Sequence, residues 1–326
     1  MATESARSLL DPRLVIVTGK GGTGKTTVAA TLARAAAAAG KEVVVVEVGD
    51  EEHIPRLLAP ERREPVGYQG ATLAQGLRAM RIDPFDAMAE YLGLQIGARA
   101  IVDLGLRNKA LRQLLEGAPG WRELITLGKV WHLEQERGAD GKPRYDLIVV
   151  DAPATGHGLT FLDVPRVVQS AVRTGPLARN AGLVESLVRD PARTLLLPVA
   201  LAEELPVRET CELVARLQGE IDIPVDRIVV NAVAPAPYPV ELDDLPERLE
   251  AVADALDFER LPPARQMAAC ARHLMARHRL NARYVDEIAE RAALGIVCLP
   301  LLPCSPAEPG ALSSLADALL QAPEQR

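Results

Sequence analysis

The chain has few cysteines, no leader-like N-terminus and no long apolar run. Its four cysteines are too few and too scattered for a disulfide framework, which predicts a reduced protein. The opening MATESARSLLDPR lacks the basic and apolar segments of a secretory signal. The longest uncharged apolar tract, around AAAAAG, is too short to cross a bilayer. We therefore expect a soluble, cytoplasmic protein with no integral membrane segment.

Lysine is scarce, and basic residues are outnumbered by acidic ones. The chain has 37 lysines and arginines against 44 acidic residues, for a net charge of −7, which predicts no nucleic-acid partner. Only six of the basic residues are lysines, and two of these, Lys20 and Lys25, fall in one short glycine-rich segment. Because arginine is used nearly everywhere else, these two lysines are candidates for a specific role.

Apolar runs alternate with helical stretches along much of the chain. The runs are apolar throughout, as in strands that helices cover on both faces. An Ala-rich stretch after the first run predicts a helix that ends at Gly40. The pattern predicts an α/β fold with a doubly wound, mostly parallel sheet, whose ligands bind at the carboxyl ends of the strands. The predicted strands are 14–18, 42–48, 146–150, 194–200, 227–231 and 295–301.

Two stretches are longer than a simple crossover between parallel strands requires. Residues 84–135 and 160–192 carry helical patterns, such as NKALRQLLEG and LVESLVRD, and no strand pattern. No Ser/Gly linker, low-complexity tract or repeat divides the chain. We therefore expect residues 1–326 to form a single domain with a helical subdomain built from these two stretches.

The segment after the first predicted strand matches the phosphate-binding pattern G-x-x-x-x-G-K-[ST]. Its glycines allow backbone N–H groups to surround phosphates at the start of the following helix. Lys25 is expected to reach the β- and γ-phosphates, and Thr26 to bind Mg²⁺ through its hydroxyl. We therefore predict that ATP or ADP with Mg²⁺ is bound by Gly19, Lys20, Gly21, Gly22, Thr23, Gly24, Lys25, Thr26 and Thr27.

A second lysine next to the first glycine sets this loop apart from an ordinary phosphate loop. With Lys20 in front, K-G-G-T-G-K-T-T resembles the deviant Walker A loop of the family that includes ArsA-type anion-pump ATPases, Get-type tail-anchored-protein targeting ATPases, MinD, ParA and the nitrogenase iron protein. The resemblance implies that Lys20 reaches the nucleotide of a partner subunit, as an arginine finger does elsewhere. It thus implies one P-loop ATPase domain, catalytic roles for Lys20 and Lys25, and a homodimer or a heterodimer with a paralogous ATPase.

The segment YDLIVVDAPATGHGLTFLDVP narrows the resemblance to one branch. Asp151 ends an apolar strand, where a carboxylate is suited to hold Mg²⁺, usually through water. The following residues are similar to the switch of the ArsA/Get-type branch, D-T-A-P-T-G-H-T-L-R-F-L. The resemblance implies a γ-phosphate-sensing switch that includes Asp151, Thr155, Gly156 and His157.

Similarity to the ArsA/Get-type branch extends from about residue 13 to 320. RIVVNAV has Asn231 where the family has an adenine-contacting asparagine, and CLPLLPCSPAEPG resembles the adenine-side loop. The resemblance therefore implies that Asn231 and the loop containing Pro303 and Glu308 hold the adenine.

The acidic stretch VVVVEVGDEEHIP follows the phosphate loop by one helix. Its V-G-D-E-E-H resembles the branch's S-T-D-P-A-H at Asp50 and His53, which implies that Asp50 orients or deprotonates the attacking water. Glu47 is expected to end the strand or to accept a structural hydrogen bond. Glu51 and Glu52 are expected to be solvated.

The resemblance also implies that ATP binding and hydrolysis drive a conformational change that handles a client. Departures from the family pattern leave the identity of that client open. The chain has no cysteine before residue 211, which argues against ArsA-type metalloid binding. The C-x-x-C zinc pair of eukaryotic targeting ATPases lacks its second cysteine here. Cys270 and His273, in C-x-x-H spacing, could supply two ligands across a two-fold axis, but we do not expect zinc. Either a protein client or a membrane-protein partner is compatible with the sequence.

Two other kinds of function stay open at the level of the residues. A regulatory subunit could bind nucleotide with weak or no hydrolysis and pair with an active paralogue, because both switches carry Ala and Gly replacements. A surface-polymerising ATPase like MinD or ParA has less support. The C-terminal tail lacks a basic amphipathic helix that would grip anionic lipid, and no basic arm suggests DNA binding.

Overall fold

In a computed structural model, the chain forms one sheet with helices packed on both faces. The structure describes residues 7–49, 51–96, 120–171, 174–223, 225–253 and 263–321, together with 113, 117 and 323, and only the backbone of 95–96, 155–160, 171 and 240. The strands of the described residues are β1 (Leu14–Gly19), β2 (Val43–Val48), β3 (Ala71–Ala74), β4 (Leu77–Ile82), β5 (Leu147–Asp151), β6 (Thr194–Leu201), β7 (Arg227–Val233) and β8 (Gly295–Pro300). The α-helices are α1 (Lys25–Ala38), α2 (Ile54–Leu58), α3 (Pro84–Ile96), α4 (Trp121–Gln135), α5 (Thr155–Ala171), α6 (Pro176–Arg189), α7 (Glu204–Arg216), α8 (Leu245–Ala251), α9 (Ala264–Ala292) and α10 (Ala311–Leu319).

The sheet is parallel except at one edge. Its strand order is β3-β4-β2-β5-β1-β6-β7-β8, and only β3 and β4 pair antiparallel among the described strands. The order reverses around β1, so the strands wind outward in both directions. This confirms the predicted α/β fold with a mostly parallel sheet.

Alternate residues of the central strands point to opposite faces of the sheet. Leu14 and Ile16 of β1 pack in a core with α4, α5 and α6, whereas Val15 and Val17 pack in a second core with α1 and α10. All four side chains are fully buried. Burial on both faces explains why the strands read as unbroken apolar runs.

The six predicted strands are confirmed, with ends that differ by no more than two residues, but β3 and β4 were missed. β3 has only four residues, and β4 carries Arg78 and Arg81, which interrupt its apolar run. Both guanidinium groups donate to backbone carbonyls: Arg78 to Gly70, at 2.9 Å, and Arg81 to Gly49, at 3.2 Å. Charged side chains paired in this way are compatible with a strand that the apolar pattern does not reveal.

Four helices fall in or overlap the ranges where helices were predicted without strands. They are α3, α4, α5 and α6. Apart from residues 113 and 117, the predicted helix NKALRQLLEG lies outside the described residues.

Candidate functional site

The phosphate loop, residues 19–26, joins the end of β1 to the start of α1 at the carboxyl edge of the sheet. Gly19 has a φ of 143°, and a Cβ atom there would meet the carbonyl oxygen of Val199 in β6 at 2.3 Å. Only glycine fits such an approach to a backbone atom. Inside the loop, the hydroxyl of Thr23 donates to the Lys20 carbonyl at 3.0 Å.

Lys25 lies inside the phosphate loop. Its Nζ donates to the carbonyl oxygen of Lys20 at 3.0 Å, and 9% of the residue is exposed. Burial lowers the pKa of the Lys25 ammonium from its usual value, and the negative charge of Asp151 acts in the opposite direction. A cation at this position is suited to bind phosphate oxygens.

Thr26 and Asp151 bring two side-chain oxygens together next to Lys25. The Thr26 hydroxyl donates to Oδ2 of Asp151 at 2.6 Å, and Oδ1 of Asp151 is buried without a hydrogen-bond partner among the described residues. Burial raises the pKa of the Asp151 carboxyl, while the Thr26 hydroxyl and the charges of Lys25 and His53 oppose the rise. A hydroxyl and a buried carboxylate with a free oxygen fit the hard oxygen ligands that Mg²⁺ prefers.

Lys20, the second lysine of the loop, is engaged within its own chain. Its Nζ lies 2.9 Å from Oε1 of Glu209 in α7, and the two side chains are 40% and 26% exposed. Sequence reasoning did not single out Glu209, which lies in the stretch ELPVRET. No sequence signal links a helix residue to a loop so far away in the chain.

The acidic loop, residues 49–53, follows β2, two strands from β1 in the sheet. Asp50 lies outside the described residues, so its role stays a prediction. Glu47 is 5% exposed, and its carboxylate accepts the backbone N–H groups of His53 at 2.7 Å and Ile54 at 3.2 Å. The structural hydrogen bond expected for Glu47 is therefore present.

The expectation that Glu51 and Glu52 are both solvated is wrong for Glu52. The side chain of Glu51 is 74% exposed, but that of Glu52 is 16% exposed. The Glu52 carboxylate accepts the backbone N–H groups of Val66 at 2.8 Å and Gly67 at 2.7 Å. The apolar pattern could not distinguish the two residues, because the local sequence does not show that backbone N–H donors 14 and 15 positions later lie next to Glu52.

The predicted switch begins at the end of β5. Asp151 is the last residue of that strand and Thr155 the first of α5. The side chains of Thr155 and His157 lie outside what the structure describes, as does Gly156 beyond its helical backbone. Their roles stay predictions.

Of the residues predicted to hold adenine, Asn231 lies within β7, and Pro303 and Glu308 follow β8. Asn231 donates from Nδ2 to the Thr23 carbonyl at 2.9 Å, so it packs against the phosphate loop. Pro303 and Glu308 are exposed, and Oε1 of Glu308 accepts the Ser305 N–H at 3.0 Å. Contact with adenine stays a prediction for all three residues.

A cavity of about 550 Å³ lies among α3, α4, α5 and α6. Its lining is mainly apolar and includes Trp121 and Trp131, which are the two tryptophans of the chain. Glu90 and Lys129 supply charge to its wall. We call this the helical cavity.

Cys270 and His273 lie one turn apart on α9, and Cys270 is exposed. Within the part of the chain that the structure describes, no group of three or more His, Cys, Asp or Glu side chains could hold a metal ion. The zinc prediction stays untested.

The sheet order and the phosphate loop together define the class of protein: a P-loop nucleotide-binding fold. A sequence profile described as anion-transporting ATPase matches residues 12–181, and the chain belongs to that family. The predicted resemblance to ArsA/Get-type ATPases is thereby confirmed.

Relatives cover most of the chain. It is 36% identical over 255 residues to ATPase BagA of Mycobacterium tuberculosis, an alignment that covers 74% of this chain and 71% of the relative. Identity to ATPase GET3 of Kluyveromyces lactis is 26% over 261 residues, or 69% and 73% of the two chains. Identity to an arsenical pump-driving ATPase of Escherichia coli is 29% over 245 residues, which covers 69% of this chain but 40% of the relative. Among the described residues, no helix is both long enough and apolar enough to cross a membrane.

Proposed function

We propose that this chain is a Mg²⁺-dependent ATPase that hydrolyses ATP to ADP and phosphate and works as a dimer. One observation carries the proposal: three side chains meet at the carboxyl edge of the sheet. They are the Lys25 ammonium, the Thr26 hydroxyl and the Asp151 carboxylate. The hydroxyl and the carboxylate are 2.6 Å apart, and one carboxylate oxygen has no hydrogen-bond partner in the part of the chain that the structure describes. The family relationship supports nucleotide and Mg²⁺ as the ligands of this site.

The proposed site divides substrate binding among loop, cation and metal ligands. Backbone N–H groups of the phosphate loop and the Lys25 ammonium bind the phosphates. Thr26 and Asp151 hold Mg²⁺, which when bound neutralises negative charge on the phosphate oxygens. Asn231 and the loop from Pro303 to Glu308 hold the adenine.

Asp50 is the proposed catalytic carboxylate. In hydrolysis, a water oxygen attacks the γ-phosphorus, the bond to the bridging oxygen of ADP breaks, and the water gives up a proton. Asp50 orients that water or accepts its proton. Asp151 and the segment 155–157 respond to the γ-phosphate as the switch.

A dimer allows Lys20 to complete the site of the partner subunit, in either a homodimer or a heterodimer with a paralogue. To do so, Lys20 must leave Glu209. Exposed ion pairs contribute only about 0–1 kcal/mol, so contacts with a nucleotide can compensate for this loss. We further propose one ATPase domain in which the helices within 84–135 and 160–192 open and close with nucleotide state and handle a client.

The test is ATP turnover by the purified chain and its variants. We expect Lys25→Ala and Asp50→Asn to lower kcat by at least about 100-fold, as for the loss of one preorganised electrostatic group. Lys20→Ala should lower kcat and abolish its dependence on protein concentration. Glu51→Gln, at an exposed neighbour of Asp50, is the matched control and should retain turnover.

A wild-type chain that binds nucleotide without turning it over would contradict the ATPase proposal for the isolated chain. That outcome would favour the regulatory subunit that pairs with an active paralogue. A chain that binds no nucleotide would contradict both.

A further inference from the structure

Glu52 links the acidic loop to a turn that precedes β3. Both of its carboxylate oxygens are occupied: Oε2 accepts from Val66 N at 2.8 Å, and Oε1 accepts from Gly67 N at 2.7 Å. Hydrogen bonds to an ionised acceptor are stronger than those between neutral groups. These two bonds fix the position of Glu52 relative to residues 66–67. In the chain, Glu52 comes two residues after Asp50.

Arg81 of β4 strengthens this link from the other side. Its Nη1 donates to the Gly49 carbonyl at 3.2 Å, and its Nε lies 3.5 Å from Oε1 of Glu52. In the chain, Gly49 and Glu52 lie on either side of Asp50. The backbone N–H of Arg81 also donates to the carbonyl of Gly67 at 2.9 Å. One arginine thus contacts both the acidic loop and the turn.

The next residue of the turn, Tyr68, extends the link to the helices. Its hydroxyl donates to Oε2 of Glu90 in α3. Lys129 of α4 lies 2.9 Å from both carboxylate oxygens of Glu90, and its Nζ lies 5.2 Å from the centre of the Tyr68 ring. The Lys129 side chain is 11% exposed. A hydrogen-bonded ion pair that is shielded in this way has a well-defined geometry.

Glu90 and Lys129 are also part of the wall of the helical cavity. Hydrogen bonds and an ion pair, joined by the backbone of residues 66–68, therefore connect the acidic loop, through Glu52 and Glu90, to that cavity. The connected groups belong to the acidic loop, the turn before β3, α3 and α4, so these contacts are a physical route by which the two ends can be coupled.

We propose that Glu52 is a positioning residue that couples the acidic loop to the helical cavity, so that nucleotide binding changes the packing of the cavity wall. The inference rests on the proposed function, because it takes the acidic loop to respond to nucleotide. By thermodynamic reciprocity, the factor by which nucleotide changes the affinity of the cavity for a ligand equals the factor by which that ligand changes the affinity for nucleotide.

The two tryptophans allow a direct test in the full-length protein. Because both Trp121 and Trp131 line the cavity, intrinsic tryptophan emission reports on that wall alone. Emission is recorded with saturating Mg²⁺ and either ADP or a non-hydrolysable ATP analogue. Nucleotide occupancy is measured separately by calorimetry, so that altered affinity is not mistaken for altered coupling.

Three variants separate positioning from general structural damage. Glu52→Gln keeps the shape of the side chain, but its amide NH₂ faces a backbone N–H. Tyr68→Phe removes only the hydroxyl that contacts Glu90. Glu51→Gln is the matched control, because Glu51 is adjacent to Glu52 and 74% exposed. Thermal unfolding midpoints establish that each variant is folded.

We expect nucleotide to change the emission of the wild type and of Glu51→Gln equally. At full occupancy, the change should shrink at least about twofold in both Glu52→Gln and Tyr68→Phe, as for mutations along a coupling network. If Glu52→Gln does not fold, Tyr68→Phe alone decides. The inference is overturned if the wild type binds nucleotide without a change in emission, or if the folded variants keep the full change. Absence of nucleotide binding in the wild type overturns the proposed function instead, and the inference with it.

Discussion

The phosphate loop and the acidic loop lie at the same edge of the sheet but are held in place differently. The phosphate loop is held largely by its own residues: the Thr23 hydroxyl and the Lys25 ammonium both donate to the Lys20 carbonyl, and glycines provide its backbone conformation. Asn231 and Glu209 add contacts from β7 and α7. The acidic loop relies on other parts of the chain. Arg81 of β4 donates to the Gly49 carbonyl, and the backbone N–H groups of residues 66–67, in the turn before β3, donate to the Glu52 carboxylate. Gly49 and Glu52 lie on either side of Asp50 in the chain.

This difference explains why one loop has a recognisable sequence motif and the other is only partly recognisable. A loop held by its own residues needs fixed residue types at fixed spacings. A loop held by distant partners can change its local residues if the partners change with them. Four substitutions, at Gly19, Glu47, Glu134 and Glu209, sharpen this comparison, from the largest expected effect to the smallest.

Gly19→Ala should disrupt the phosphate loop most severely. A methyl group there would lie 2.3 Å from a backbone oxygen of β6, which has no freedom to move aside. We expect a loss of about 2–4 kcal/mol in the free energy of unfolding from positive φ and overpacking together. Chemical denaturation measures the loss.

Gly22→Ala is its control. Gly22 also has a positive φ, of 82°, but no atom of the described residues lies within 4 Å of the added atom. Its cost should be only about 1–2 kcal/mol, that of a left-handed backbone at one residue. Equal losses at the two positions would contradict a decisive role for the contact with β6.

Glu47→Gln should loosen the start of the acidic loop with an intermediate effect. The Gln oxygen replaces one acceptor, but the NH₂ group leaves a backbone N–H of His53 or Ile54 unpaired, at a cost of about 1–3 kcal/mol.

Burial raises the pKa of Glu47 above its usual 4.5, against the two hydrogen bonds. The proton is thus held more tightly in the folded state. The carboxyl contributes stability below pH 4.5 that is lost as pH rises through the folded pKa. The cost of the substitution should therefore decrease as pH rises.

Glu134→Gln should show the opposite pH dependence. Burial alone would raise the pKa of Glu134, but hydrogen bonds and charges from Arg193 and Arg13 lower it overall. Its stability contribution is present above pH 4.5 and lost as pH falls through the folded pKa. The cost of this substitution should increase with pH. Unfolding midpoints between about pH 3 and about pH 7, a range that spans the usual glutamate pKa of about 4.3, compare the two variants. The same direction in both would refute our account of Glu47.

Glu209→Gln should have the smallest effect. The Lys20–Glu209 pair is half-exposed, so its loss should change stability by at most about 1 kcal/mol. If Lys20 serves a partner's nucleotide, freeing it should strengthen nucleotide-dependent dimerisation by at most about fivefold, the equivalent of that energy. Sedimentation with and without nucleotide measures the effect.

Glu212→Gln, on the same helix and paired with Arg208, is the control and should leave dimerisation unchanged. Weaker dimerisation in Glu209→Gln alone would mean that Glu209 supports Lys20 instead of competing for it.

Much of the fold was predictable because its strands are buried on both faces. The runs at β1 and β5 need no context to be recognised, since each has four consecutive apolar residues, 14–17 and 147–150. β4 was missed because Arg78 and Arg81 interrupt its pattern, and their carbonyl partners are identifiable only in three dimensions. The same holds for Glu209, whose only link to Lys20 is spatial.

By itself, the sequence determined the parallel sheet, the phosphate loop and the family, because apolar periodicity and glycine spacing are local properties of the chain. The tertiary structure alone decided which acidic residues are structural. Glu51 and Glu52 are identical neighbours in the sequence, yet one faces solvent and the other holds two backbone N–H groups. The difference arises because the turn at residues 66–67 packs against one side of the acidic loop. Only the folded chain brings those donors within hydrogen-bonding distance.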